Sequence, residues 1–379
     1  MSVISTVTVT VPATTANLGP GFDCIGAALS LYNRFQFSRL EPSATEKLKI
    51  TVTGQEAPKV KTDDSNLAYQ AFLKLYDRLQ KSPPPVAIHI DMQVPLARGL
   101  GSSATAIVGG LVGANELAGA PLSQVEVMQL AIELEGHPDN VVPALLGGCR
   151  LAASNAPPQP PLTKGRLTEE FPLPASNAPP QPPLTKGGLR DEFPLREAGL
   201  TESPPLREAG PTESPPLSKG GQGGGSWEIC DIPWHHTIVP VVAIPDFELS
   251  TAEARRVLPA DYSRADAIFN AAHLGLLVRA LETGNENWLR CALQDKIHQP
   301  YRQSLIRGYE AVQQAALNAG ACGMVISGAG PTLLTLTDVT NAEAVEKAMA
   351  AAWGEFGVKA DVRAIAIDTQ GSQVSTQLS

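Results

Sequence analysis

Pro95-Leu-Ala-Arg-Gly-Leu-Gly-Ser-Ser-Ala104 joins a strand to a helix through glycine and serine. Upstream, Val86, Ile88, Ile90 and Met92 alternate with Ala87, His89 and Asp91, the period of a half-buried strand. Downstream, the residues from Ser103 to about Ala118 are mostly small and read as a helix. Gly99 and Gly101 let backbone amides approach a ligand with no Cβ in the way. Ser102 and Ser103 open the helix, so its unpaired N–H groups and positive dipole end face the loop. Such a junction binds an anion, and a phosphate chain suits it. A lone serine cap beside a tight turn would need no ligand. Strand, two glycines, two serines and a small-residue helix together favour phosphate. No Gly-Lys-Ser/Thr follows the glycines and no Gly-x-Gly-x-x-Gly opens the first helix, which sets aside the Walker A and dinucleotide loops.

Working outward, Ser5 to Val11 alternates threonine with valine and predicts a strand that Pro12 stops. A turn-rich loop, Asn17-Leu-Gly-Pro-Gly-Phe-Asp23, leads to a strand over Ala27 to Phe37 and another over Leu48 to Thr53. Helical spacing marks Asn66 to Leu79 and Leu122 to Glu135, and Asp139-Asn140 reads as a turn. Later, Thr237 to Ile244 is an apolar strand, and helices are expected near 263–282, 288–294 and 304–318. Met324 to Leu336 reads as strand, glycine turn and strand, followed by a helix over Ala342 to Phe356 and a last strand over Val358 to Ile367. Strands and helices alternate in both halves, so the chain is α/β or α+β.

Between 153 and 226 the character changes. Ala-Ser-Asn-Ala-Pro-Pro-Gln-Pro-Pro-Leu-Thr-Lys-Gly stands at 153–165 and again at 175–187, and a shorter unit beginning Leu-Arg-Glu-Ala-Gly starts at Leu195 and at Leu206. Dense proline and glycine with few apolar residues leave little to offset ordering entropy, so the stretch reads as a disordered insertion. It lacks the hydrophobic stripe that would let its units stack. The flanks, Gly148 to Ala152 and Trp227 to Cys230, look like two strands of a hairpin, where a longer turn costs little closure entropy.

The chain has 379 residues, enough for two domains plus an insertion, and 43% of them are apolar, enough for a sizeable core. Asp and Glu number 38 against 29 Lys and Arg, for a net charge of −9, which argues against nucleic acid or an anionic membrane as partner. Five scattered cysteines without a Cys-x-x-Cys pair fit a reducing compartment, and the first residues have no signal-peptide pattern, so the cytoplasm is expected. The six histidines show no zinc spacing.

The stretch from Pro95 to Ala104 resembles the central phosphate motif of the GHMP kinases. Pro12 to Asp23 and the late loop Gly323-Met-Val-Ile-Ser-Gly-Ala-Gly-Pro-Thr332 fit the same superfamily. Asn17 to Asp23, Glu135-Gly-His-Pro-Asp-Asn140 and Ser250-Thr-Ala-Glu-Ala-Arg255-Arg-Val-Leu-Pro259 are similar to its homoserine-kinase branch. The likeness covers nearly all of the chain except 153–226 and the last dozen residues. It implies an α+β, two-domain GHMP kinase fold: an N-terminal α+β domain (1–152) with a left-handed βαβ-type crossover, the insertion at 153–226, and a remainder (227–379) that ends the first sheet and adds a ferredoxin-like domain.

The resemblance also implies ATP and Mg²⁺, with L-homoserine as the small-molecule acceptor and a homodimer as one compatible assembly. It places ATP at Pro95, Leu96, Ala97, Arg98, Gly99, Leu100, Gly101, Ser102, Ser103, Ala104 and Thr105, with Gly328 and Gly330 beside the phosphates. Mg²⁺, a hard cation that takes carboxylate, hydroxyl and water oxygens, falls to Glu135 and Ser102, or Ser103. Asn140 would hold the attacking hydroxyl and Asp23 the ammonium of the acceptor, with Asn17 binding the same molecule. Arg255 and Arg302 would take the carboxylate, for which a planar guanidinium is well shaped. Asn140 and Arg255 are thus the catalytic candidates. A helix-end charge, a turn cap and a solvated surface arginine are the plainer readings of Glu135, Asp23 and Arg302. Asp23 and Asp139 are the only candidates for a catalytic base near the motifs, and neither is unambiguous, since Asp23 is given to the ammonium.

Overall fold

The computed structural model describes residues 4–41, 45–155 and 227–378. β1 (Ile4–Ala16) and β2 (Ile25–Arg39) form a long antiparallel pair joined by the turn-rich loop. Pro12 does not end β1. The register slips between Pro12 and Ala13, and the outer neighbour of β1 reaches only to Thr10, so the missing N–H breaks no ladder. β3 (Leu48–Thr53), α1 (Leu67–Arg78) and β4 (Val86–Asp91) make a β-α-β crossover, with β3 and β4 parallel. α2 (Ser102–Leu117), α3 (Gln124–Glu135) and α4 (Pro138–Leu146) follow. β5 (Cys149–Ser154) and β6 (Trp227–Ile232) pair antiparallel as the expected hairpin. β5 runs to Ser154, and the rest of the repeat-rich stretch lies outside the described residues.

The second half contains β7 (Val239–Pro245), α5 (Thr251–Arg256), α6 (Arg264–Thr283), α7 (Glu286–Ala292), α8 (Gln299–Arg302) and α9 (Tyr309–Asn318). β8 (Gly323–Ile326), β9 (Leu333–Thr337), α10 (Ala342–Glu355), β10 (Ala360–Ala364) and β11 (Gln373–Leu378) complete it. β7 to β10 form a sheet in the order β10-β7-β9-β8, the ferredoxin-like plan expected for this half. β11 leaves it and pairs with β1, an addition that the sequence did not announce. The first sheet is therefore β11-β1-β2-β4-β3, with β5 on β2 and β6 on β5.

β2 serves two partners in succession: Arg34 to Arg39 face β4, and Ile25 to Ala27 face β5. α1 to α4 cover one side of this sheet, burying Phe35, Phe37, Phe72, Ile107, Leu111 and Leu130 together. Each such side chain contributes about 1.5–3 kcal/mol when withdrawn from water. The small residues of α2 follow from this packing, since a Cβ on Gly109 or Gly113 would strike the rings of Phe35 and Phe37. A second apolar cluster draws Leu18, Leu29 and Leu100 from the first half against Val242, Leu281 and Leu334 from the second. No described helix is long and apolar enough to cross a membrane.

Candidate active site

β4 delivers the chain into the glycine-serine loop, and α2 starts at Ser102 with Gly101 as its left-handed N-cap, φ 67°. Both glycines are required by close approach. A Cβ on Gly101 would meet Thr14 Oγ1 at 1.9 Å, and one on Gly99 would meet the Ser327 carbonyl at 2.2 Å. Thr14 N–H also donates to the Leu100 carbonyl (3.1 Å). Ser102 Oγ is buried and finds no hydrogen-bond partner among the described residues, whereas Ser103 Oγ donates to Glu135 Oε2 at 2.9 Å.

The Arg98 side chain bonds within the protein. It is buried, and its guanidinium donates to the carbonyls of Pro245 (2.9 Å), Leu96 (3.0 Å) and Asp246 (3.1 Å). Within the loop it is a clamp onto the end of β7. Asn33, which drew no attention in the sequence, holds the loop from the other side. Its Oδ1 accepts from the amides of Gln93 and Val94 (both 2.9 Å), and its Nδ2 donates to Thr105 Oγ1 (2.8 Å). A polar residue in the middle of a strand was the only signal available.

The late glycine loop lies against this one. Thr332 N–H donates to the Arg98 carbonyl, and Ser327 Oγ donates to the Gly99 carbonyl at 2.7 Å. Gly328 offers its carbonyl to Asn17 Nδ2 (2.8 Å) and to Arg302 Nη1 (3.1 Å). Asn17 Oδ1 in turn accepts from the Asp23 amide at 2.9 Å, so both ends of the Asn17 amide are engaged within the protein. Asn17 thereby fixes the loop that carries Asp23.

Asp23 faces Arg255 from α5 through two hydrogen bonds of 3.0 and 2.9 Å. Arg302, whose plainer reading was a surface charge, is 2% exposed. Burial and the neighbouring Arg255 charge lower its pKa from the ordinary arginine value. Its Nε donates to the Ala254 carbonyl at 3.0 Å.

Asp139 and Asn140 are not in a turn: they occupy the first turn of α4, which Pro138 starts. Proline is preorganised for a first helical position and an acidic residue suits that end, so the same residues also read as a helix start. Asn140 Oδ1 accepts from Thr14 Oγ1 (2.7 Å) and its Nδ2 donates to Asp139 Oδ1 (3.1 Å). His137 Nδ1 contacts that same oxygen at 2.5 Å. Asp23, His137 and Asp139 bring donor atoms within 4.8 Å of one another, linking the acceptor side of the site to α4. Burial is the largest influence on Glu135 and raises its carboxyl above the usual range, against the Ser103 hydrogen bond. Cys24, next to Asp23, is pushed to about 11 by burial and by Asp139 and Asp23, which keeps it a thiol.

A cavity of about 440 Å³ opens beside Ser102 and Ser103, with Phe35, Ile90, Met92 and Leu96 as apolar walls and Lys61, Ser65 and Asn66 on its polar side. Its size and mixed lining suit a nucleoside next to an anion site. Residues 60–65 had no part in the sequence reading because they form an irregular connection with no motif. Lys59, on its rim, reaches Glu248 at 2.6 Å.

The comparisons fit this geometry. Residues 66–148 match the GHMP kinases N terminal domain and residues 275–355 the GHMP kinases C terminal. A homoserine kinase of Trichormus variabilis is 57% identical over 98% of this chain and 100% of its own length. The chain belongs to the homoserine kinases. A homoserine kinase of Thermosynechococcus vestitus is 48% identical over 97% of this chain and 98% of its own. Among solved structures, homoserine kinase from Cytophaga hutchinsonii superposes with a TM-score of 0.74 at 23% identity, covering 99% of both chains. L. major mevalonate kinase in complex with R-mevalonate gives 0.58 at 14%, covering 95% of both, a likeness of fold. Homoserine kinases are phosphotransferases, and the chain is an ATP-dependent enzyme of this family.

Proposed function

We propose that this site moves the γ-phosphoryl group of ATP onto the δ-hydroxyl of L-homoserine, giving O-phospho-L-homoserine and ADP, a step of threonine biosynthesis. The observation that carries the reading is the Asp23–Arg255 pair, which presents a carboxylate and a guanidinium together next to Asp139 and Asn140. An amino-acid acceptor has one ammonium and one carboxylate to offer them. Asp23 takes the ammonium, and Arg255, with Arg302 behind it, takes the carboxylate. Asn17 acts by holding the Asp23 loop in place.

ATP phosphates lie along the loop from Pro95 to Thr105, with Gly328 and Gly330 across from it, and the nucleoside fills the adjoining cavity. The residues present fit a magnesium ion: Ser102 supplies a buried hydroxyl without a partner, and Glu135 a carboxylate within reach of the same helix start. Held there by Ser102 and Glu135, such an ion would supply positive charge to offset that of the transferring phosphoryl group. Asn140 is fixed by Thr14 and Asp139, and its amide sits at Gly101, where it orients the acceptor hydroxyl for in-line attack. Asp139 Oδ1 is already shared by His137 and Asn140, and this reading assigns no side chain as the base. The proton leaves late, onto the phosphoryl oxygens.

The same reading keeps 1–152 as the ATP-binding domain, 153–226 as an insertion and 227–379 as the rest of the first sheet with the second domain. It also places the enzyme in the cytoplasm. A coupled ADP-release assay of the whole chain against L-homoserine, mevalonate, galactose and shikimate tests the acceptor. Turnover of L-homoserine alone supports the proposal; turnover of mevalonate without homoserine overturns it.

A further inference from the structure

Phe22 is one residue from Asp23, half-buried, and its ring gathers three charged or polar neighbours. Arg302 Cζ lies 5.1 Å from the ring centroid and Arg255 Cζ 5.7 Å, both inside the range of a cation–π contact. The imidazole of His298 stacks on the same ring, centroids 5.2 Å apart and planes 23° from parallel. His298 is fully buried and held on every side. Its amide donates to Asp295 Oδ2 (2.9 Å), its Nε2 pairs with the Gly19 carbonyl (2.8 Å), and its Nδ1 with Arg302 Nη1 (3.3 Å). Burial lowers the His298 pKa, so the ring is neutral, Nε2–H donates to Gly19 and Nδ1 accepts from Arg302.

We infer that Phe22 is a positioning residue for the acceptor: its ring, with His298 stacked on it, holds the Arg255 and Arg302 guanidiniums in the arrangement that receives the acceptor carboxylate. This rests on the acceptor assigned above. Physical need supports it. Two guanidiniums close enough for Arg255 to lower the Arg302 pKa repel one another, and Asp23 hydrogen-bonds only Arg255. The benzene ring attracts both without consuming a hydrogen-bond donor, so Arg255 keeps its two bonds to Asp23 and Arg302 its bonds to Ala254, His298 and Gly328. An aliphatic side chain would fill the same space and leave the two charges free to spread.

The test compares Phe22→Tyr, Phe22→Leu and a series with progressively fluorinated phenylalanine at position 22, all in the full chain. Fluorination weakens the ring quadrupole with little change of shape, so it keeps the test open if Phe22→Leu folds poorly. KM for L-homoserine and for ATP, and kcat, are measured with the ADP-release assay. Phe22→Leu is expected to raise KM for L-homoserine roughly tenfold, with KM for ATP within about twofold of the parent. Phe22→Tyr restores the parental value, and KM for L-homoserine climbs with each fluorine. A flat fluorine series, or an equal rise in both KM values, overturns the inference. An unaltered chain that does not turn over L-homoserine overturns the acceptor assignment and this inference with it. An active parent with an unresponsive Phe22 overturns this inference alone.

Discussion

Asp23 and Arg255 stand 232 positions apart in the chain and meet through two parallel hydrogen bonds, one from each terminal nitrogen of the guanidinium. The contact joins the loop after β1 to helix α5 in the other half of the molecule. Each partner satisfies the charge of the other until a zwitterion offers both a better one. Arg255→Lys keeps the charge and loses the fork, so KM for L-homoserine should rise about tenfold while KM for ATP stays within about twofold. Steady-state kinetics with each substrate varied in turn would show the split; a matched rise in both would count against the assignment.

In the proposed mechanism Asn140 would orient the acceptor hydroxyl in the reacting arrangement. Asn140→Ala should therefore lower kcat about a hundredfold and change KM for ATP little. An unchanged kcat would remove it from the mechanism.

Glu135 is a carboxylate whose charged form is disfavoured by its own surroundings, with burial as the leading cause. Glu135→Gln keeps the acceptor for Ser103 Oγ and deletes that charge. Activity should fall by about two orders of magnitude at saturating ATP and need more Mg²⁺ for the remainder, while the melting temperature of the unliganded protein holds or rises. A magnesium titration and a thermal scan of the same preparation check both halves.

Asn33 makes three hydrogen bonds from a buried amide to both ends of the phosphate loop. Asn33→Ala strands two backbone amides and a hydroxyl, and should cost about 2–3 kcal/mol of stability. KM for ATP should rise more than KM for L-homoserine, because the loop it holds is the nucleotide's.

His298 supplies the pH dependence. Burial lowers its pKa from the ordinary 6.5, so the unfolded chain binds this proton more tightly than the folded one. Its contribution is fully present above pH 6.5 and is lost as the pH falls toward the folded value. The melting temperature should therefore drop below that pH, and His298→Gln should flatten this part of the profile. A parent profile flat through that range would contradict the neutral assignment of the ring.

Much of this was legible in advance where physics is local. Alternation in Val86 to Met92 and the glycine-serine cluster after it gave a strand, a loop and a helix start in their right places. The hairpin around the repeats also followed from short-range pattern. Local rules misled where two of them compete. Pro12 breaks a strand only if its N–H side has a partner, and there it has none. Asp139-Asn140 after Pro138 satisfies turn and helix-start preferences equally, and the burial of α4 decides. Arg98 sits in a motif that reads as ligand-facing, yet the carbonyls it satisfies belong to residues nearly 150 positions away. Asn33 had only its polarity inside a strand as a signal, and Phe22 and His298 had none, because their partners are assembled by tertiary structure.

The pairing of β1 with β11 sets a timetable. Val9 has Val374 as its outer neighbour, so that edge of the first sheet lacks its partner until Val374 has left the ribosome. The ferredoxin-like half, whose four strands lie between Val239 and Ala364, has all its pieces earlier. Completion of the first sheet is thus a late event with high sequence separation, the slow class of contact. During that interval the exposed rim of β1, rich in threonine and valine, is the part of the nascent enzyme most open to capture by another chain's strand or by a chaperone.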